Sequence, residues 1–132
     1  MAWIIAWVAA AVVFGVLDAV WLGWAGSHLY RPHLGDLLAQ SFRMTPAILF
    51  YAAYVSAIVW FAVRPGLANG SLAAAALNGA LLGAICYATY DLTNQATLRH
   101  WSVTVTLADI AWGTLATAIA ASAATFAAQR FA

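Results

Sequence analysis

Four apolar runs, at about 3–25, 46–63, 72–90 and 103–127, constrain this chain more than any other feature. Each is long enough, at about 1.5 Å per residue, to cross most or all of a hydrocarbon core ~30 Å thick. In that solvent a backbone N–H or C=O without a partner costs several kcal/mol, so a lone spanning segment is a helix, which satisfies these groups within itself. Little chain is left over for a second domain. The sequence therefore predicts an all-α membrane protein, one polytopic domain over 1–132 forming a four-transmembrane-helix bundle. Composition agrees, with 66% of residues hydrophobic and 7% charged, against about 25% charged in a soluble domain.

The connections carry their own signals. Residues 33–43 are too polar to span and too apolar for a free loop. Leu34, Leu37, Leu38 and Phe42 fall on one helical face, with Asp36, Gln40 and Arg43 displaced from it. The expectation is a short interfacial amphipathic helix between helices 1 and 2. Pro46 suits a first helical turn, and Arg64-Pro65-Gly66 is expected to stop the second span. The first span has no positive n-region, so it reads as a retained helix and not a signal peptide.

What the charges exclude is as useful. The chain has no lysine and no glutamate; its basic residues are all arginine and its acids all aspartate. Schiff-base chemistry is therefore absent. A net charge of +1 spread over both sides gives no nucleic-acid footprint. Cys86 is alone, so no redox pair forms, and the spacing of His28 and His33 around Pro32 matches no metal-ligand pattern. Neither a metal nor a cofactor is expected.

Against this background, Asp18, Asp91 and Asp109 stand out. Each lies in or beside an apolar run, and two of them are followed three residues later by tryptophan, Trp21 and Trp112. A carboxylate at such depth costs about 2.5–3.5 kcal/mol on insertion scales, which makes it a candidate functional residue. In helical register Tyr87, Asp91 and Asn94 share a face, with Tyr90 beside them. Spans one and three run in the same direction and span four returns. The end of one, the end of three and the start of four thus share a leaflet, with Asp18 and Asp109 at matching depth. The expected polar cluster is Asp18, Trp21, Tyr87, Tyr90, Asp91, Asn94, Asp109 and Trp112. Arg43 and Arg99 are expected as supporting charge. A purely structural network, with arginines pairing the acids or Tyr and Trp hydrogen-bonding them, is the competing reading. Gly79 and Gly83 form a GxxxG that predicts close helix packing, Gly15 and Gly23 are read the same way, and Asn78 is expected to bond across to a neighbouring helix.

The segments Leu17-Asp18-Ala19-Val20-Trp21-Leu22-Gly23, Tyr87-Ala88-Thr89-Tyr90-Asp91-Leu92-Thr93-Asn94-Gln95-Ala96-Thr97-Leu98 and Asp109-Ile110-Ala111-Trp112-Gly113, with Tyr30, Leu34 and Gly35 between the first two, carry a resemblance. They resemble the motifs of a bacterial family of four-helix integral membrane proteins of unknown function. The resemblance covers nearly the whole chain and implies a multi-pass inner (cytoplasmic) membrane protein, with no reaction attached.

Three classes of function fit. A binding or transport protein would hold a polar or cationic head group in the cluster, with membrane lipid as the natural partner. A lipid-directed enzyme would use an Asp pair as general acid and base, although no recognised catalytic motif is present. An accessory subunit would pack by its Gly/Ala ridges, in a homo-oligomer or a larger membrane complex.

Overall fold

The computed structural model describes all 132 residues, and every regular element is helical. Helix α1 (Ala2–Ala25) runs through a π turn at Gly26–Tyr30 into α2 (Arg31–Leu34) and a 3-10 turn at Gly35–Leu37. Helix α3 (Met44–Ile58) continues likewise through a π turn at Val59–Val63 into α4 (Arg64–Asn69), and α5 (Leu72–Thr97) and α6 (Val103–Phe131) follow. Four helical runs, Ala2–Leu37, Met44–Asn69, Leu72–Thr97 and Val103–Phe131, are long and apolar enough to cross a membrane.

The first two runs outlast the boundaries expected at residues 25 and 63, and each continues through a proline. Proline inside a helix lacks the N–H donor, and its ring collides with the carbonyl four residues back. Here the N–H of Arg31 bonds the Gly26 carbonyl and that of Arg64 bonds the Val59 carbonyl, five residues back in each case. A widened turn thus immediately precedes both Pro32 and Pro65 and makes room for the ring. Consequently Arg64-Pro65-Gly66 does not stop the second run. It ends at Asn69, where Gly70 takes the left-handed conformation (φ 60°) and its N–H bonds the Leu67 carbonyl. Of the interfacial helix expected over 33–43, only the part up to Leu37 is helical. Gly35, at φ 48°, departs from the α path, and Leu38–Arg43 is irregular.

Helix α6 is the axis of the bundle. Its buried residues are mostly small, from Gly113 through Ala116, Thr117, Ala120 and Ala121 to Ala128. Such residues let backbones approach, which holds membrane helices together where expulsion from water does not. Gly79 and Gly83 of α5 lie against this surface. A Cβ on Gly79 would sit 2.8 Å from the Thr117 carbonyl oxygen, and one on Gly83 would sit 2.1 Å from that of Gly113. On α1, Ala6, Ala10, Phe14 and Asp18 face inward, while Val8, Val12, Val16 and Val20 form an exposed stripe for lipid. Gly15 and Gly23 instead face open space, with no neighbour within 4 Å of a built Cβ. Asn78 donates to the Ala74 carbonyl in its own helix, not to a neighbour. Ser71 and Ser102 cap α5 and α6, accepting from the N–H groups of Ala74 and Val105.

Candidate functional site

Where α1, α5 and α6 meet toward the Arg31 end of the bundle, they and Phe50 of α3 border a half-open cavity of about 320 Å³. Asp18, Asp91 and Asp109 all line it, with Trp21, Tyr87 and Tyr90 beside them. The antiparallel topology thus brings together three carboxylates widely separated in sequence.

Their surroundings differ. Asp18 on α1 accepts a hydrogen bond from the Tyr51 hydroxyl of α3 and a longer one, 3.4 Å, from Trp112 Nε1. Asp109 on α6 accepts from the Tyr30 hydroxyl at 2.5 Å, and that hydroxyl accepts in turn from Trp21 Nε1 at 2.9 Å. The two Asp-x-x-Trp segments are therefore exchanged between helices. Trp112, three residues beyond Asp109, serves Asp18, while Trp21, three beyond Asp18, serves Asp109 through Tyr30. The indole rings stack with centroids 4.8 Å apart and planes 6° from parallel, locking α1 and α6 in register.

Asp91 on α5 is the exception. It is fully buried, and no donor group of the protein reaches either of its carboxyl oxygens; the Asp109 carboxyl lies within hydrogen-bonding reach, and the two acids can bond each other only by sharing a proton. Its nearest acid is Asp109 on the same cavity wall. Two buried carboxyls this close do not both carry charge without a cation, so the pair either shares a proton or takes a donor from outside the protein.

A larger recess of about 910 Å³, the vestibule, adjoins the cavity and shares Leu22, Tyr30, Tyr90 and Asp109 with it. Arg31 and Arg43 line the vestibule, together with Gln40 and Ser41 of the irregular segment. The acids are thus graded in position: Asp109 faces both recesses, whereas Asp18 and Asp91 face only the inner one.

Most of the residues read from the sequence as a cluster meet here. Trp112 joins through its bond to Asp18 and its stack on Trp21, and Tyr87 packs its ring over Gly113. Asn94 is half-buried and lines neither recess, and Arg99 is exposed beyond the end of α5. Of the structural alternative, the arginine pairing does not form, whereas hydrogen bonds from tyrosine and tryptophan do, at Asp18 and Asp109. His28 and His33 bond the carbonyls of Trp24 and Leu29. Tyr30 and Tyr51, which sequence reasoning did not place in the cluster, are the principal donors to the carboxylates. Tyr30 was missed because the first span was taken to end at Ala25. Tyr51 could have been found by depth, since it follows the start of its span by about as many residues as Asp18 precedes the end of its own.

Fold and site together define a small polytopic α-helical membrane protein with a carboxylate-lined cavity inside the bundle. The chain belongs to a family described as predicted membrane protein (DUF2177), whose model matches residues 3–126. No curated protein and no solved structure matches it.

Proposed function

We propose that this protein binds the donor-rich, cationic head group of a lipid-like molecule in the carboxylate cavity. The observation that carries this reading is Asp91, whose two oxygens are buried, reached by no donor of the protein and set in a cavity wall. An ammonium group has three donors and no acceptor, so it meets the need of such a carboxylate, where another acceptor would add to the cost. Aromatic rings around the cavity, among them Trp21, Tyr87 and Phe50, add faces that attract a cation.

A second reading, a lipid-directed enzyme, rests on the neighbouring carboxyls of Asp91 and Asp109 on one wall, since an acid and a base held side by side are what proton transfer requires. Both readings place the same group in the same cavity, and binding is the prior step of either.

Native mass spectrometry of the protein with an added long-chain alkylammonium amphiphile tests the proposal. The wild type should retain the amphiphile, and Asp91→Asn should lose at least tenfold in affinity, the loss expected for a hydrogen bond to a charged group. Equal retention by both proteins, or none by the wild type, would remove the reading.

A further inference from the structure

Three recesses of different chemistry meet at Leu22. The carboxylate cavity, the vestibule and a third groove of about 510 Å³ between α1 and α3 all have Leu22 in their walls. The vestibule is joined to the cavity by Tyr30, Tyr90 and Asp109, and to the groove by Phe42. The groove is apolar, floored by Ala11, Gly15 and Ala19 of α1 and walled by Ile48 and Ala52 of α3. It is open at Gly15, where an added Cβ would meet nothing within 4 Å. Carboxylates, arginines and a hydrocarbon-lined groove on the flank of the bundle thus adjoin one another around Leu22.

The charges across these recesses are graded by sign: Asp18 and Asp91 line only the cavity, Arg31 and Arg43 only the vestibule, and Asp109 stands between them in the wall of both. Asp18 and Asp109 take their hydrogen bonds from tyrosine and tryptophan, so Arg31 and Arg43 are not neutralised by them. An amine alone would leave those arginines unused, and a phosphate alone would leave Asp91 without a donor. A molecule carrying both groups on a short spacer satisfies both.

We propose that the ligand is a zwitterionic amphiphile whose head group joins an ammonium to a phosphate, as phosphoethanolamine does. The ammonium enters the cavity against Asp91. The phosphate stays in the vestibule, where the guanidinium forks of Arg31 and Arg43 match its oxygens. A hydrocarbon chain leaves past Leu22 along the groove. This rests on the cationic reading of the cavity and adds to it the anion, the chain and the order in which they lie.

The test is native mass spectrometry of the full chain with three lipids of matched chain length: a phosphatidylethanolamine, a phosphatidylglycerol with the phosphate but no amine, and an alkylamine with the amine but no phosphate. The phosphatidylethanolamine should bind about tenfold more tightly than either, since each competitor lacks one charged contact. The double variant Arg31→Gln, Arg43→Gln should bring it down to the level of the alkylamine and leave alkylamine binding unchanged. Gly15→Leu, whose Cβ meets nothing within 4 Å and whose side chain occupies the groove, should weaken every chain-bearing ligand and leave thermal melting unchanged. Alkylamine binding as tight as that of phosphatidylethanolamine, with no effect of the arginine variant, overturns the zwitterion and leaves the carboxylate reading standing. Phosphatidylglycerol binding as well as phosphatidylethanolamine overturns both. Soluble phosphoethanolamine forms a further arm: binding as tight as the lipid's would assign the site to a free head group and remove the groove from it. Should the arginine variant not fold, the comparison of ligands on the wild type decides alone.

Discussion

Burying a carboxylate that no donor of the protein reaches costs a fold several kcal/mol, and Asp91 is such a residue while Asp18 and Asp109 are not. Function and stability should therefore separate at these positions. In ligand-free protein, Asp91→Asn should raise the detergent melting temperature, because an amide at nearly constant shape gives the Asp109 carboxyl a donor and ends the crowding of two buried acids; the gain is about 1–3 kcal/mol. Asp18→Asn should lower it, since Tyr51 and Trp112 would then donate to a neutral amide oxygen, or to none. Thermal unfolding of the two variants beside the wild type decides this, and destabilisation by Asp91→Asn would mean that the carboxylate already has a partner inside the protein. The sequence made the three aspartates visible by depth alone. It could not rank them, because the ranking depends on which hydroxyls reach them. Those hydroxyls belong to Tyr30, beyond the expected end of the first span, and to Tyr51, on a helix that carries no acid.

At the level of elements, the α5–α6 contact sets how closely the cavity walls can stand. Gly83 meets the Gly113 backbone, and Gly113 in turn lies under the Tyr87 ring, with a built Cβ 2.2 Å from it. One glycine ridge thus packs two helices and seats a cavity-lining aromatic. Replacing Gly83 by leucine should force α5 from α6, cost roughly 2–4 kcal/mol as overpacking in a close backbone contact, and enlarge the cavity. Gly79→Leu should also destabilise while sparing ligand retention more, because it lies a turn further from the aspartates. Melting temperature and amphiphile retention, measured together on both variants, separate packing from site geometry; unchanged melting for both would place this ridge against lipid. The GxxxG spacing and the four runs were legible because apolar periodicity and small-residue spacing are local patterns. The helix ends were not. Proline usually ends a helix, and the π turns that absorb Pro32 and Pro65 depend on backbone register, which residue identity alone does not announce.

For the whole molecule, four spans place both ends of the chain on one side and the vestibule on the other. The segments on the vestibule side carry Arg31, Arg43 and Arg99, and the opposite side carries Arg64 and Arg130. Under the positive-inside rule that difference of three against two predicts a vestibule facing the cytoplasm. Arg31 and Arg43 line a recess open to the interface, where arginines also meet the anionic surface of the cytoplasmic leaflet. Single cysteines at Asn69 and His100, in a Cys86→Ala background, report the two sides, since both native residues are exposed and neither is a helix N-cap. In intact cells a membrane-impermeant maleimide should label position 69 and spare position 100, and permeabilisation should expose position 100. Labelling of both positions before permeabilisation would contradict an odd number of crossings between them and so remove α5 as a span. The reversed pattern would keep the bundle and turn the vestibule outward, so that the same head group would be drawn from the other leaflet.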